Sequence, residues 1–210
     1  MAYNATVDKM RDKIQLDYSP EKNSQLKQIR GVCFEDVALA IEEGRILDVI
    51  EHPNIKKYPN QKIYVVNIND YAYLVPFVKQ SEIAFLKTIF PSRKLTKKYL
   101  QKDIWVYIGV YGMKNKIKKN KFFDVKLDRE EKDLLASVER GEWKSVSNLK
   151  EEITFAKKAA ANFLRKDARI NIRISSVDLE HLRHKAVYEG LPYQTLIASI
   201  LHKYAAGYIT

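Results

Sequence analysis

The sequence predicts a mixed α+β chain: a small α+β domain, then a helical arm, then one strand followed by two helices. Three observations carry this. Four runs rich in Val, Ile, Leu, Tyr and Phe lie between Ile46 and Phe90, separated by polar turns. Stretches with apolar residues at helical spacing end at Gly31, Gly44, Gly141 and Gly190, where a left-handed residue closes a helix. Near the end, Ile170, Ile172 and Ile174 alternate with Arg169, Asn171, Arg173 and Ser175, the period-two pattern of a strand with one apolar and one basic face.

Composition narrows the partners. The 210 residues carry a formal net charge of +11, which favours a polyanion, nucleic acid first; a lysine-rich surface kept for solubility is the plain alternative. The balance is +4 over residues 1–112 and +7 over 113–210. Cys33 is the only cysteine, so an intramolecular disulfide and a cysteine-rich zinc site are excluded and a cytoplasmic setting is expected. The polar start MAYNATVDKMRDK has no signal-peptide core, and Ile104–Val110 is far too short to span a membrane. No repeat and no glycine-rich phosphate loop occur, and no cofactor or metal is called for.

The first domain is expected over residues 1–102. Ile14–Tyr18 opens as a strand. Ser19 is a candidate N-cap and Pro20 a first helical residue, for a helix to about Gln28. A second helix is expected from Glu35 to Glu43. Strands follow at Ile46–Ile50, Lys62–Ile68, Tyr71–Val78 and Ile83–Phe90, with the second and third joined by a tight hairpin at Asn67–Asp70. A basic helix from Leu95 to Gln101 ends the order β-α-α-β-β-β-β-α.

Several words in this order resemble the BrnT family of bacterial toxin ribonucleases, which have a RelE-like fold. They are Asp17, Lys22 and Asn23; then Arg30-Gly31-Val32-Cys33-Phe34-Glu35-Asp36; then Ser92-Arg93-Lys94-Leu95-Thr96, with Tyr99 after it. One departure stands out: Lys62 occupies the position nearest to an arginine usual in the family, which puts that residue's role in doubt. The resemblance implies metal-independent cleavage of messenger RNA. Attack by a 2′-hydroxyl needs a base, positive charge on the pentavalent phosphorus, and a donor for the leaving oxygen. His52 is the candidate acid or base, against a plain turn residue beside Pro53. Arg93 and Lys94 are candidates for the phosphorane, against solvated charges at a helix start, and Lys62 for orienting the phosphate. Tyr99 or Tyr64 is placed to stack a base, with Lys62 and Tyr64 expected on opposite faces of their strand. Glu35 reads as a helix-start charge or an ion-pair partner rather than a base.

Residues 103–121 form the junction. The apolar DIWVYIGVYG gives way at Met113 to the lysine-dense KNKIKKNK, as though two proteins encoded side by side were joined, by natural fusion, read-through or deliberate linkage. Residues 122–167 read as a helical arm. Asp128 is the N-cap candidate of a helix to Arg140, and a long helix follows from Asn148 to Arg165. Between them Trp143 and Val146 are apolar anchors in a polar setting: Trp143 is either core, though no large core is available locally, or a docking residue for a partner protein, the contact also expected of Phe155 on the long helix.

Residues 168–210 hold the alternating strand, a helix capped at Ser175-Ser176 and running to about Glu189, and a second helix from Leu191-Pro192. So short a unit cannot bury enough surface alone, and the same strand from a second copy is the cheapest cover for its isoleucines. This stretch resembles the ribbon-helix-helix fold of CopG-type and Arc-type repressors. With GEWKSV, INIRIS and GLPYQTLI it resembles the CopG-type antitoxins partnered with BrnT-like toxins. The resemblance implies a homodimer or higher oligomer that binds operator DNA. Arg169, Asn171, Arg173 and Ser175 would meet the major groove, and backbone N–H groups of Tyr193, Gln194 and Thr195 a phosphate. It also implies an arm that neutralises the toxin, in cis or in trans, through Trp143, Val146 and Phe155, with no membrane partner.

Three readings follow. The chain is a type II toxin–antitoxin module whose ribonuclease is inhibited in the joined form. Or it is a non-catalytic transcription regulator with a degenerate N-terminal interaction domain. Or it binds RNA without cleaving it. Cleavage of RNA by residues 1–112 separates the first from the others.

Overall fold

A computed structural model of the chain describes residues 14–52, 60–100, 125–165 and 170–209. The turn after His52, the junction at 103–121 and Arg169 lie outside those residues. The architecture is mixed α+β, with one mixed sheet and seven helices among the described residues. It falls into two compact units, Met1–Arg165 and Lys166–Thr210.

In the first unit β1 (Gln15–Tyr18) leads to α1 (Pro20–Arg30). Ser19 caps α1 by accepting the Lys22 N–H at 3.2 Å, and Gly31 ends it in the left-handed region at φ 69°. Helix α2 (Phe34–Glu42) precedes β2 (Ile46–Glu51), β3 (Gln61–Ile68) and β4 (Tyr71–Gln80). The β3–β4 turn is Asn69-Asp70, both at positive φ (52° and 59°), the backbone that a two-residue hairpin needs and Asn and Asp tolerate. The run expected as one strand to Phe90 breaks in two, β5 (Ile83–Leu86) and β6 (Phe90–Pro91). The reason is pairing: β5 lies between β4 and β1, whereas β6 crosses to Tyr73 and Leu74 farther back along β4. Helix α3 (Arg93–Leu100) begins two residues earlier than expected, because Ser92 caps it: its hydroxyl accepts the Leu95 N–H at 3.3 Å.

The arm contributes α4 (Arg129–Arg140), β7 (Lys144–Ser145) and α5 (Leu149–Leu164). Asp128 and Glu131 form a reciprocal capping box at the start of α4, and Gly141 at φ 83° turns the chain toward Trp143. The sheet order is β1-β5-β4-β3-β2-β7, with β6 also on β4 and β1–β5 its parallel pair. Strand β7 therefore forms the outer edge, on β2.

Alternation along the strands splits the core into two layers. Val49, Tyr64, Val66, Val75 and Phe77 face α1, α2 and α5, where Ala156, Ala159 and Ala160 let α5 approach closely. Ile50, Ile63, Val65 and Leu74 face α3 and α4, joined by Leu95, Val138 and Trp143. Hence the arm does not stand apart from the first domain. It grips the sheet, with α4 on one face, β7 on the edge and α5 on the other face.

The second unit holds α6 (Ser176–Tyr188) and α7 (Tyr193–Ala205), separated by Gly190 at φ 69°. Ser175 caps α6, accepting the Asp178 N–H at 3.0 Å. Of the strand expected at 169–175, residues 170–175 form no ladder among the described residues. Ile170, Ile172 and Ile174 are 62%, 56% and 44% exposed, and among the described residues of this unit only Ala186, Leu196 and Ala206 are buried.

Candidate functional site

The candidate catalytic residues do not gather in one cleft. His52 follows β2, whose Glu51 sits opposite Lys62, and Lys62 opposite Phe77. Arg93 opens α3, whose cap residue Ser92 donates its N–H to Ala72 at 2.9 Å. Five residues separate Ala72 from Phe77 on β4, about 17 Å along a strand. His52 and Arg93 therefore anchor at opposite ends of the strands.

Faces divide the set further. Residues two apart on a strand point the same way, so Lys62 and Tyr64 share the α5 face, which overturns their expected opposition. Tyr64 is fully buried and stacks on Phe77 at 3.8 Å, so it is core and not a base-stacking platform. Burial, followed by the nearby Glu152 charge, pushes its phenol far above the ordinary value. His52 lies on the other face, its ring edge-on to Trp143 at 4.9 Å.

Lys62, Lys94 and Tyr99 meet the arm or the core. Lys62 pairs with Glu152 of α5 at 2.7 Å, and Lys79 approaches the same oxygen at 3.7 Å. Lys94 donates to the Glu139 carbonyl in the last turn of α4, where helix carbonyls attract a cation. Tyr99 donates its hydroxyl to Asp48 Oδ2 at 2.5 Å, while Ser145 of β7 donates to Asp48 Oδ1 at 2.5 Å. Burial and then the Asp48 hydrogen bond raise the Tyr99 phenol well above its usual range, so it stays neutral at physiological pH. Arg93 is exposed at the start of α3.

The arm residues pack on the first segment. Trp143 is 7% exposed, anchored by its Nε1–H to Ser137 Oγ at 2.8 Å. Val146 donates its N–H to the Val49 carbonyl at 2.9 Å and is buried in the α5-side core. Phe155 lies under the Lys79 ammonium, 3.8 Å from its ring centroid.

Sequence reasoning missed a second group. Arg30, at the end of α1, forks onto Glu131 of α4: Nη1 to Oε1 at 2.9 Å and Nη2 to Oε2 at 2.5 Å. Thr88 donates to the same carboxylate at 2.5 Å, and Lys22 stands 3.9 Å away. Burial opposes the charge on Glu131, yet the hydrogen bonds from Arg30 and Thr88 hold its pKa below the ordinary value. The sequence signal was an acid three residues after Asp128, and the capping box by itself accounts for an acid there.

The other motif words are structural. Asn23 donates to both oxygens of Glu35 at 3.0 Å and accepts the Phe34 N–H at 2.8 Å, and Tyr18 donates to Glu35 at 2.8 Å. This network bolts β1 and α1 to the start of α2.

In the second unit Asn171 and Arg173 are exposed, and Ser175 is engaged as the cap of α6. Tyr193, Gln194 and Thr195 form the first turn of α7, with the Arg183 guanidinium 5.4 Å from the Tyr193 ring centroid. Among the described residues no three His, Cys, Asp or Glu side chains gather as a metal site requires, and no helix is long and apolar enough to cross a membrane. The chain matches no family model, no curated protein sequence and no solved structure.

Proposed function

We propose that the chain is a toxin–antitoxin module in one polypeptide. In this reading the first segment is an endoribonuclease of BrnT type with a RelE-like fold. The arm is its inhibitor, and residues 170–209 form a ribbon-helix-helix unit that dimerises and binds operator DNA. The observation that carries it is the grip of the arm on a basic α+β segment. Acidic side chains of the arm meet Arg30, Lys22, Lys62 and Lys79, while Trp143 covers His52. An inhibitor of an RNA-handling surface needs this charge complementarity. The unpartnered isoleucines and the exposed Arg173 support the repressor part.

The scattered candidates narrow the chemistry to the α3 side of the sheet. Tyr99, Lys94 and Arg93 share one helix and are the group left for a phosphorane. His52 acts at the other end of the sheet only as a residue that the arm covers.

The test is RNA cleavage before and after proteolysis near Met113, alongside residues 1–112 prepared alone. Cleavage is expected from the fragment and little from the intact chain. Intact RNA with both preparations refutes the nuclease. For the operator, Arg173→Ala is expected to weaken specific binding by about 1–3 kcal/mol with the dimer retained. Equal operator affinity of the two proteins refutes that role.

A further inference from the structure

We propose that Arg30, Thr88 and Lys22 form a phosphate-binding site of the first segment, in which the Glu131 carboxylate of the arm is the resident stand-in for phosphate oxygens. The inference rests on the toxin reading only for the source of that phosphate.

The donor set is the first reason. A guanidinium fork, a hydroxyl and an ammonium converge on two oxygens of one anion, at 2.9, 2.5, 2.5 and 3.9 Å. The fork matches a phosphate as well as it matches a carboxylate. All of these donors belong to the first segment, and the anion belongs to the arm. Arg30 is also held in place independently of the arm, by donation to the Ile89 carbonyl at 2.7 Å.

The second reason is room. A cavity of about 200 Å³ adjoins Glu131, lined among others by Lys22, Lys87, Thr88, Asp128 and Glu130. The third reason is complementarity. Glu131 of the arm pairs with Arg30 and Lys22, and Asp128 and Glu130 share the lining of the adjoining cavity with Lys22 and Lys87. A nucleic-acid backbone presents charge in the same manner. Lifting α4 would leave Arg30 without its anion, and a phosphate is the replacement that the donors fit.

The experiment uses the full chain, with inorganic phosphate and an RNA trinucleotide as probes, at ionic strength held constant with chloride. Glu131→Ala opens the site while the rest of the arm stays docked. Its melting temperature is expected to rise by roughly 3 °C at about tenfold the dissociation constant of phosphate. Wild type should not respond, and Arg30→Ala added to the variant should abolish the response. Should the alanine variant fail to fold, Glu131→Gln keeps the acceptor for the Asp128 N–H and should show a smaller, still Arg30-dependent rise. A response no larger than in wild type, or one that survives Arg30→Ala, overturns the site. Arg30-dependent response to both probes supports it with RNA as the source, and response to phosphate alone supports it with a small phosphate ligand. A phosphate response without RNA cleavage by residues 1–112 would sink the nuclease and leave the site standing.

Discussion

Single residues explain how a soluble-looking arm becomes a clamp. Glu131 caps its own helix and accepts from Arg30 and Thr88, so one carboxylate joins local and long-range order. Its pKa lies below the ordinary value when folded. A depressed folded pKa adds stability that is fully present above the unfolded value and is lost as pH falls through the folded one. Melting temperatures of wild type and Glu131→Gln should therefore differ at pH 7 and converge as pH drops below the ordinary glutamate value of 4.5. A gap that stays constant down to pH 3 would show that the charge is irrelevant. Trp143 acts through contact area: it is buried in the same apolar layer as Ile50, with His52 edge-on to its ring. Trp143→Ala is expected to destabilise the first unit by about 3–5 kcal/mol and to raise RNA cleavage by the joined chain. Unchanged denaturant midpoint and unchanged RNA would count against this role.

At the scale of elements, β7 has few bonds but a decisive position. It continues the sheet at the β2 edge, which an uncovered strand would leave with unpaired N–H and C=O groups. The Val146 N–H closes that pairing on Val49. Val146→Pro removes the donor, and faster hydrogen exchange is expected at β2 and β7 while β3 and β4 stay protected. Unaltered exchange along β2 would mean that the edge is held by α4 and α5 alone. Helix α5 shows the opposite economy: three alanines bring its backbone near α2, and no single side chain dominates.

For the whole molecule, the contrast between the units matters most. The first buries two apolar layers on one sheet, while the described residues of the second bury three side chains and expose three alternate isoleucines. In the proposed repressor, a second copy pairing through 170–175 would cover them and bring two first units onto one DNA site. Ile172→Asp is expected to abolish self-association in sedimentation and to lower operator affinity at least tenfold, because a two-stranded reader needs both strands. A dimer that persists in this variant would place self-association elsewhere.

The sequence by itself determined the local order: Ser19, Asp128 and Ser175 as caps, Gly31, Gly141 and Gly190 as stops, the Asn69-Asp70 turn and the strands β2, β3 and β4. Each depends on neighbours within a few residues, and such chemistry is written in short windows. Only the tertiary structure decided where Arg93, His52 and Lys62 stand relative to each other. Strand register and face, not proximity in sequence, separate them along the sheet and across it. It likewise paired Arg30 with Glu131 across 101 positions, and placed Ser145 on Asp48 across 97. A charged residue in a polar helix reads as solvated until a distant cation is brought to it. That is why the fold was legible in part, the clamp was seen only as a set of apolar anchors, and the Arg30 cradle was not seen at all.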